Sequence, residues 1–516
     1  MNLKLMLEEA VGRYKGKPAI VSSDRRLSFT DLDEASNKVA NALIKLGVNK
    51  GDRVATLLDN GPEFVTTYFG IVKTGAIAVP LDAKFKVDEL ASLFDDCRPK
   101  VLVTESPTLE PLIPVLSKFK SISHVIDLSS KFEGQFLSYN EIMATGSPQG
   151  IEVALEPDDA ANIMYTSGPA FHPKGTVLSH QRLVAQGITA GNWFQQTEKD
   201  IELLFALPIH HTFGLASVLL ASITKGSTLV ILPGVSIPGL TEIIERSGGT
   251  VLIGVPFIYT LMVGMAEEEG IKHDLSSMRL YVCGGAPLPI DIIKRFRKYY
   301  GVAITQGWGL TESIAHVTCQ PIDGSGEPGS VGKAMPGWTL KVVDDNGREL
   351  PPTRNGEVLV SGPIMKGYYN NPQATAEHIK GGWLYTGDIG KVDEEGNLFI
   401  TGRKKDLIIV KGQNICPIDI ETVLLKHPKV AEAAVIGIPD ELRGEIVGAV
   451  ISLKPEETIA EQEIRHLCLE HMANYKVPKQ IVFLDSLPKT TDGTIDKQKI
   501  KEYLSIPSLF PEIAIS

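Results

Sequence analysis

The first half of the chain repeats one pattern, in which a short apolar run alternates with a stretch of helical periodicity. Such runs occur at Arg53–Leu58, Ile77–Val79, Val101–Val103, Val125–Leu128, Leu229–Leu232 and Val251–Gly254. Between them lie helical stretches such as Phe64–Val72, and one that we expect Thr30 to cap and Gly47 to stop. Strands that alternate with helices pair in parallel and are covered on both faces, so the pattern predicts an α/β fold with mostly parallel sheets.

The texture of the sequence changes twice in the second half. From about residue 326 to 402, glycine, proline and short strands such as Leu340–Asp344 and Glu357–Ser361 predict a β-rich subdomain. After Asp406, helical and strand signals alternate at Ile418–Lys426, Ala433–Ile438, Val447–Leu453, Glu461–Met472 and Gln480–Leu484. We therefore predict a large N-terminal domain, 1–402, of stacked parallel-type sheets with helices and the β-rich subdomain. A small mobile α+β domain, 405–516, would follow it.

Charge and composition exclude several classes of protein. The 516 residues carry a net charge of −11, which speaks against nucleic acid as the main partner. No apolar run approaches the ~20 residues needed to span a bilayer, so we expect no integral membrane segment. The five cysteines form no close-spaced motif and indicate free thiols in a reducing compartment. These features lead us to expect a cytoplasmic protein.

The segment Tyr165–Gly175, which reads Tyr-Thr-Ser-Gly-Pro-Ala-Phe-His-Pro-Lys-Gly, has the composition of a phosphate-binding loop. The apolar run Ala161–Met164 precedes it, and we expect a helix to open at Ser179. A strand, a Gly/Ser-rich turn with a lysine and then a helix is the arrangement that cradles phosphates. The spacing is not that of the common nucleotide loop G-x-x-x-x-G-K-[ST]. An ordinary loop is the alternative interpretation of this segment taken alone.

A second segment, Gln306–Glu312, reads Gln-Gly-Trp-Gly-Leu-Thr-Glu. A flat aromatic ring between glycines can lie against a purine, and a Thr–Glu pair can offer a hydroxyl to phosphate and a carboxylate to Mg²⁺. Further motifs follow the same order at Leu207–Gly214, Gly284–Leu288, Gly329–Gly332, Gly356–Gly362, Trp383–Gly390 and Gly402–Pro417. The ordered set resembles the adenylate-forming superfamily of acyl-CoA synthetases, aryl-CoA ligases, peptide-synthetase adenylation domains and luciferases.

This resemblance implies a reaction in two steps. A carboxylate attacks the α-phosphate of Mg-ATP to give acyl-AMP and pyrophosphate, and a thiol, usually that of coenzyme A, then displaces AMP. The implied ligands are Mg²⁺, ATP or AMP, coenzyme A and a small-molecule carboxylic acid or acyl-adenylate. The C-terminal domain is implied to swing by a large hinge rotation between the steps.

The resemblance also implies roles for individual residues. The nucleotide would be held by Thr166, Ser167, Gly168, Lys174, Gly284, Gly285, Ala286, Pro287, Trp308, Gly309, Asp388 and Arg403. Within this set, Trp308 and the Gly284–Pro287 turn would hold adenine, Asp388 would accept hydrogen bonds from the ribose hydroxyls, and Arg403 would bond ribose or phosphate. A core aromatic residue is the alternative interpretation of Trp308.

The implied catalytic residues are His211, Thr311, Glu312 and Lys405. His211 would border the carboxylate and gate the acyl tunnel, Thr311 would touch the α-phosphate, and Glu312 would bind Mg²⁺. Lys405 lies near the family hinge, with a solvated lysine as the alternative, and Lys411 and Gly412 would line the coenzyme A arm. A metal pair of His210 with His211 is disfavoured, because adjacent residues share no face of a helix or strand.

Two stretches depart from the family pattern. The usual phosphate loop reads Y-T-S-G-T-T-G-x-P-K-G, and here Pro169, Ala170 and Phe171 replace its T-T-G. Two hydroxyl donors, one backbone N–H and one glycine are thereby lost. Near the C-terminus, Thr494 occupies the place of the family's catalytic lysine. A hydroxyl cannot supply the charge stabilisation that a positioned cation gives a phosphoryl transition state.

Both departures fall on the first half-reaction, whereas Gly402–Pro417 keeps the family pattern of the second. One interpretation is therefore a non-adenylating ligase that joins a supplied acyl-AMP to coenzyme A and depends on a partner adenylating enzyme. A complete ATP-dependent synthetase and a non-catalytic nucleotide or acyl-CoA binder are the alternatives. The expected acyl lining, Phe213–Ser217 and Val255–Tyr259, is mostly apolar and favours a fatty, alicyclic or aromatic acid.

Overall fold

The computed structural model describes residues 1–516 except 24, 133, 166–172, 233, 235, 404–406, 490–494 and 505–516. By its internal contacts the chain divides into two compact units. The first comprises Met1–Ala83, Leu93–Thr166 and Lys174–Lys404, and the second comprises Lys84–Ser92, Ser167–Pro173 and Lys405–Ser516. The domain limits 1–402 and 405–516 denote bodies that move independently, so they remain a prediction.

The strands of the first unit belong to three sheets. They are β1 (Pro18–Ser22), β2 (Arg25–Ser28), β3 (Arg53–Leu57), β4 (Ile77–Leu81), β5 (Val101–Thr104), β6 (His124–Asp127), β7 (Leu137–Ser138), β8 (Ala160–Tyr165), β9 (Gly175–Ser179), β10 (Ile201–Phe205), β11 (Thr228–Leu232), β12 (Val251–Gly254), β13 (Leu280–Cys283), β14 (Ile304–Leu310), β15 (Ala315–Cys319), β16 (Lys333–Ala334), β17 (Thr339–Val343), β18 (Gly356–Ser361), β19 (Gly367–Tyr368), β20 (Ile379–Lys380), β21 (Trp383–Val392) and β22 (Leu398–Arg403).

The helices of the same stretch of chain precede these strands or lie between them, and the one at Val87–Cys97 is divided between the two units. They are α1 (Leu3–Tyr14), α2 (Phe29–Lys45), α3 (Pro62–Lys73), α4 (Val87–Cys97), α5 (Ser106–Leu112), α6 (Tyr139–Thr145), α7 (His180–Trp193), α8 (Ala221–Lys225), α9 (Ile237–Ser247), α10 (Pro256–Glu268), α11 (Ile290–Tyr300) and α12 (Pro372–His378). A π-helix, Phe213–Leu220, runs directly into α8 and is buried along its whole length.

Two large sheets of the first unit are mostly parallel. One has the order β16-β15-β14-β13-β12-β10-β11-β1-β2, and its strands from β1 to β14 pair in parallel along this path. The other has the order β19-β9-β8-β4-β3-β5-β6-β7, with parallel pairing from β8 to β7. Antiparallel strands complete the edges of both sheets. The predicted α/β class with mostly parallel sheets is confirmed.

A third sheet of the first unit is antiparallel and covers the region predicted to be β-rich. Its order is β17-β18-β21-β20, and β22 pairs with β21. Strand β18 pairs with β21 through Glu357 and Ile389, and β21 pairs with β22 through Asp388 and Arg403. Antiparallel neighbours such as β20 and β21, or β21 and β22, need only short connections. The longer connection from β18 to β20 contains β19 and α12.

Two local predictions were wrong. The helix predicted to start at Thr30 begins at Phe29, and Ser28 caps it: Asp31 N–H donates to Ser28 Oγ at 3.1 Å, and Ser28 N–H donates to the Asp31 carboxylate at 2.9 Å. This reciprocal pair satisfies two backbone donors, which Thr30 at a position inside the helix cannot do. The predicted end of the helix is confirmed, because Gly47 follows the last turn with φ +76°.

The second error concerns the segment after Tyr165. The helix there begins at His180, with Ser179 as its N-cap, but strand β9 lies between it and the loop. Strand β9 pairs antiparallel with β8, with Tyr165 opposite Gly175. The segment predicted to be a phosphate loop therefore joins two antiparallel strands, β8 and β9, rather than a strand and a helix.

The second unit is a compact α+β structure, as predicted. Its strands are β23 (Ile408–Val410), β24 (Gln413–Ile415), β25 (Val430–Asp440), β26 (Gly444–Leu453) and β27 (Gln480–Phe483), and its helices are α13 (Pro417–Leu424), α14 (Glu461–His471) and α15 (Lys497–Leu504). The long hairpin β25–β26 is its centre, and β23 and β27 pair with β26. Apolar side chains such as Ile420, Val435 and Ile464 form its core.

The cysteines and the membrane prediction can be compared with the structure directly. All five cysteines are described, and each is a free thiol. Among the described residues, no helix is both long enough and apolar enough to cross a lipid bilayer.

Candidate active site

Two residues predicted to hold the nucleotide contact each other. Trp308 lies near the end of β14, and Asp388 lies in β21 of the antiparallel sheet. The Trp308 indole Nε1–H donates to the Asp388 carboxylate at 2.9 Å. Trp308 is 9% exposed and Asp388 is 1% exposed, so the bond lies in a water-poor environment where it is electrostatically strong. The contact joins two different sheets at one point.

The middle of β21 is held by hydrogen bonds at Asp388 and at the two residues before it. The Thr386 hydroxyl donates to the Val358 carbonyl at 2.6 Å and accepts from Asp388 N–H at 3.1 Å. Gly387 N–H donates to the Glu357 carboxylate at 3.1 Å. Arg403 is the backbone neighbour of Asp388 in β22, which brings the two predicted ribose residues side by side on adjacent strands.

The glycines that flank Trp308 and the predicted adenine turn leave no room for side chains. A Cβ added at Gly309 would lie 1.4 Å from the Ala315 carbonyl oxygen. A Cβ at Gly284 would lie 3.1 Å from the Phe213 ring and 3.3 Å from the Gly307 carbonyl oxygen. The main chain of β13 and β14 therefore forms a closely packed floor next to Trp308. Gly285, which precedes Ala286 and Pro287, has φ +82°, a conformation that favours glycine.

A tyrosine that sequence reasoning missed lies against Glu312. Thr311 and Glu312 open a short 3₁₀ turn after β14. The Tyr368 hydroxyl donates to Glu312 Oε1 at 2.8 Å, and burial together with this carboxylate raises the pKa of Tyr368. The hydroxyl therefore stays protonated and orients the carboxylate. The Lys174 ammonium lies 5.2 Å from the centre of the Tyr368 ring, so the structure brings Lys174 and Glu312 to the same tyrosine.

His211 lies in the turn between β10 and the π-helix. The His211 backbone N–H donates to the Pro208 carbonyl at 3.3 Å. The Phe213 backbone N–H donates to the His211 ring nitrogen Nδ1 at 3.4 Å. Part of His211 remains exposed. Desolvation of its ring by the surrounding protein, and to a smaller extent the positive charge of His210, lowers the pKa of His211 and favours the neutral imidazole. Among the described residues, no group of three or more His, Cys, Asp or Glu side chains could hold a metal ion.

Most of the expected acyl lining is buried, and a histidine that sequence reasoning missed packs against it. Phe213 packs edge-on against the His316 ring with centroids 4.9 Å apart, and the Ser217 hydroxyl lies 3.0 Å from His316 Nδ1. Burial lowers the pKa of His316 to about 4, so the ring is neutral. His316 lies in β15, whose five residues are all buried, and Ser217 lies 99 positions earlier in the chain, a separation that no local pattern reveals.

Lys411 and Gly412 form the two-residue turn between β23 and β24 in the second unit. Their φ angles are +51° and +79°, and Val410 pairs with Gln413 across the turn. Lys411 N–H donates to the Arg443 carbonyl at 2.9 Å. Burial and, to a smaller extent, repulsion from the positive charges of Arg443 and Lys479 lower the pKa of Lys411. Several predicted site residues, namely Thr166, Ser167, Gly168, Pro169, Ala170, Phe171, Lys405 and Thr494, lie outside the described residues.

Comparisons with known proteins agree with this architecture. The family model described as AMP-binding enzyme matches residues 7–369, and that of the AMP-binding enzyme C-terminal domain matches residues 419–494. A long-chain-fatty-acid–CoA ligase of Bacillus subtilis (strain 168) is 32% identical over 97% of this chain and 94% of its own length.

Solved structures extend the likeness to the whole chain. The o-succinylbenzoate CoA synthetase of Bacillus subtilis, bound with its product analogue, has a TM-score of 0.85 at 29% identity, covering 96% of this chain and 98% of its own. The amide bond synthetase McbA of Marinactinospora thermotolerans has a TM-score of 0.88 at 27% identity, covering 98% and 99%. The chain belongs to the AMP-binding enzyme family, the adenylate-forming superfamily that its motifs resemble.

Proposed function

We propose that this protein is an acyl-CoA ligase that makes a thioester from an acyl-adenylate and coenzyme A, and that it is weak in or lacks the adenylation step. The observation that carries the proposal is a contrast within one chain. The Trp308–Asp388 pair at the expected nucleotide position is intact, whereas residues 169–171 and 494 have lost the side chains that serve the triphosphate and the α-phosphate.

The nucleotide half of the proposal rests on a buried acceptor beside an aromatic ring. A carboxylate accepts hydrogen bonds and donates none, so Asp388 suits two ribose hydroxyls, and Trp308 already fixes one of its oxygens at 2.9 Å. The closely packed main chain at Gly284 and Gly309 offers backbone polar groups and a flat surface for a purine. In our proposal Arg403 completes the ribose contact from the neighbouring strand.

We assign Glu312 the binding of Mg²⁺. This ion keeps several water molecules and is usually held by one or two protein carboxylates together with substrate phosphates. A single carboxylate oriented by the Tyr368 hydroxyl fits that mode, and Lys174 on the same tyrosine ring adds a positive charge. When bound, Mg²⁺ would neutralise phosphate charge, and Thr311 at the start of the turn would contact the α-phosphate.

The adenylation step would be impaired for a physical reason. Attack on the α-phosphate needs the β- and γ-phosphates to be held and the developing charge to be neutralised. In residues 169–171, proline offers no N–H, and alanine and phenylalanine offer no hydroxyl. Thr494 carries no charge where the family has a lysine. These losses remove positioning and electrostatic stabilisation together, and each is commonly worth several kcal/mol.

The thioester-forming step needs none of those groups. The thiolate sulfur of coenzyme A attacks the acyl carbonyl carbon of the adenylate, a C–S bond forms, and the bond from that carbon to the phosphate oxygen breaks. AMP leaves with the electron pair, and the thiol proton passes to solvent. We assign the acyl tunnel gate to His211, the hinge to Lys405 and the coenzyme A arm to Lys411 and Gly412.

The acyl group is proposed to be fatty, alicyclic or aromatic. Phe213 and Tyr259 in the expected lining are buried, the Tyr259 hydroxyl donates to the Val282 carbonyl at 2.6 Å, and the neutral His316 adds no charge. The Bacillus subtilis relatives act, by their names, on a long-chain fatty acid and on o-succinylbenzoate. A partner enzyme that makes the acyl-adenylate, in the same cytoplasmic compartment, would complete the pathway to the thioester.

A complete ATP-dependent synthetase is the second candidate, because the relatives named as CoA ligases match nearly the whole chain. A nucleotide or acyl-CoA binder without activity is the third. The deciding assay compares synthetic acyl-adenylates plus coenzyme A with the matching free acids plus Mg-ATP and coenzyme A, for octanoyl, cyclohexanoyl and benzoyl groups. Thioester formed from adenylates at least about a hundredfold faster than from acids supports our proposal.

The Asp388→Asn variant is the matched control for this assay, because it removes the proposed ribose acceptor without changing the side-chain volume. It should slow the adenylate reaction strongly. Acid and ATP consumed at rates near ~10 s⁻¹, an ordinary enzyme value, would overturn the non-adenylating proposal in favour of the complete synthetase. Binding of AMP without any thioester formation would leave the non-catalytic binder.

A further inference from the structure

A single asparagine bonds both sides of the turn that leads to His211. Asn60 lies in the loop between β3 and α3. Its Nδ2 donates to the Leu207 carbonyl at 2.8 Å, and its Oδ1 accepts from Ile209 N–H at 2.9 Å. Because one partner is a carbonyl and the other an N–H, the orientation of the amide follows from the contacts themselves.

The two bonds fall on either side of Pro208. Leu207 is 3% exposed and Ile209 is fully buried, so their backbone polar groups need partners inside the protein. Pro208 has no N–H of its own, but its carbonyl accepts from His211 N–H at 3.3 Å. This single hydrogen bond links the His211 backbone to the segment that Asn60 holds.

The π-helix contacts the same segment. A Cβ added at Gly214 would lie 2.3 Å from the Pro208 carbonyl oxygen, so the start of this helix is packed directly on that peptide. Leu215 N–H donates to the His211 carbonyl at 2.9 Å. Asn60 and the start of the π-helix therefore both contact the Leu207–Ile209 segment, and the π-helix also bonds His211 directly.

Asn60 also joins the two parallel sheets. It follows β3 of one sheet, and Leu207 follows β10 of the other. Both strands lie within parallel sheets, and both segments leave the carboxyl end of their strand, where α/β proteins place their ligand sites. Asp59 N–H donates to the Glu105 carboxylate at 3.1 Å, which fixes the loop on its other flank.

We infer that Asn60 is a positioning residue for His211: it fixes the Leu207–Ile209 segment across the two sheets and thereby sets where the imidazole meets the acyl group. The inference rests on the proposed function for the role of His211, but the hydrogen bonds themselves do not. We do not place Asn60 in contact with the substrate. It acts through the backbone of the turn.

The test uses Asn60→Asp, which keeps the side-chain size and the Oδ1 acceptor but sets a carboxylate oxygen against the Leu207 carbonyl. The matched control is Asn41→Asp, because the Asn41 Nδ2 likewise donates to backbone carbonyls of a distant loop, at Ser147 and Gln149. Each full-length variant is labelled with [¹³Cε1]histidine, and His211→Gln assigns the His211 resonance. The chemical shift, line width and pKa of His211 are measured, together with Tm and kcat/KM for octanoyl-AMP and coenzyme A.

Asn60→Asp is expected to shift or broaden the His211 resonance and to lower kcat/KM roughly tenfold to a hundredfold, since small misplacements of a reacting group cost that much. Asn41→Asp is expected to change Tm alone, with kcat/KM within about twofold of wild type. Asn60→Ser carries the same expectation if the aspartate variant does not fold. An unchanged His211 resonance in the Asn60 variants, with a Tm loss like that of the control, overturns the inference. If wild type makes no thioester, the proposed function fails, and the resonance alone still decides the role of Asn60.

Discussion

The indole N–H of Trp308 donates to the carboxylate of Asp388 at 2.9 Å, although the residues lie in different sheets and 80 positions apart. The indole fixes the direction of a carboxylate that is almost completely buried within β21. A nucleotide whose ribose bonds Asp388 would therefore meet a carboxylate that the protein has already aligned, and the affinity for AMP should depend on both members of the pair.

We predict that Trp308→Phe weakens AMP binding about tenfold and that Asp388→Asn weakens it more. Removing a hydrogen bond to a charged group costs about 1.5–3 kcal/mol, and an amide cannot replace an acceptor-only carboxylate. Isothermal titration calorimetry with AMP gives the affinities. Trp193→Phe is the control, because it also loses an indole hydrogen bond, to the Gln320 carbonyl at 3.0 Å. Equal losses in all three variants would contradict a nucleotide site at this pair.

Tyr368→Phe should weaken the binding of a divalent cation in the presence of ATP. The lost hydroxyl orients Glu312, and partners of this kind typically change metal affinity 10–100-fold. Mn²⁺ can serve as the probe, and its binding can be followed by electron paramagnetic resonance. Tyr300→Phe loses a hydroxyl bond to the Met262 carbonyl at 2.7 Å and serves as the control. Unchanged Mn²⁺ affinity in Tyr368→Phe would show that this hydroxyl does not orient a metal ligand.

Restoring the family residues should restore adenylation. We expect the combination of Pro169→Thr, Ala170→Thr, Phe171→Gly and Thr494→Lys to raise ATP–pyrophosphate exchange at least about tenfold, because it returns hydroxyl donors, a glycine and a cation to the triphosphate site. Thr494→Lys alone should do little, since the triphosphate would still be poorly held. Exchange measured with radiolabelled pyrophosphate checks both variants. Full exchange in the unmodified protein would mean that the replaced residues are not needed.

Glu202 should make the protein less stable as the pH rises through the neutral range. Burial raises the pKa of this carboxyl from 4.5 to about 8, while the Ser222 hydroxyl and the Gln196 amide donate to it. Between these values the unfolded chain releases the proton that the folded chain keeps, so stability falls with rising pH, by at most about 1.4 kcal/mol per unit. Below pH 4.5 both states are protonated, and above about pH 8 both are ionised.

The variant Glu202→Gln keeps an oxygen acceptor without the proton and should remove this trend. Its Tm advantage over wild type is expected to be near zero at pH 4.5 and largest at pH 8, by differential scanning fluorimetry. Glu267→Gln, at an exposed pair with Arg295, is the control and should leave the trend in place. A pH-independent difference between Glu202→Gln and wild type would contradict the assignment.

The sheets were predictable from the sequence because buried parallel strands are continuous apolar runs, and the candidate nucleotide residues were predictable because they fall in ordered motifs. The side-chain contacts of the candidate site could not be predicted in the same way. Asn60 and Tyr368 lie in a loop and a two-residue strand, which carry no periodic signal, and their partners come from other sheets. Strand β9 was missed because a five-residue segment between a loop and a helix is too short to stand apart from either.

The turn at Lys411 carries a consequence for the balance between stability and activity. Two-residue turns of this hairpin type favour Asn-Gly, because both positions need positive φ, and a lysine at +51° pays about 1 kcal/mol for its Cβ. The chain therefore gives up folding stability at the position where we place the coenzyme A arm. A consensus redesign aimed at thermostability would replace this lysine first. The hairpin would become more stable, but it would lose the long positively charged side chain.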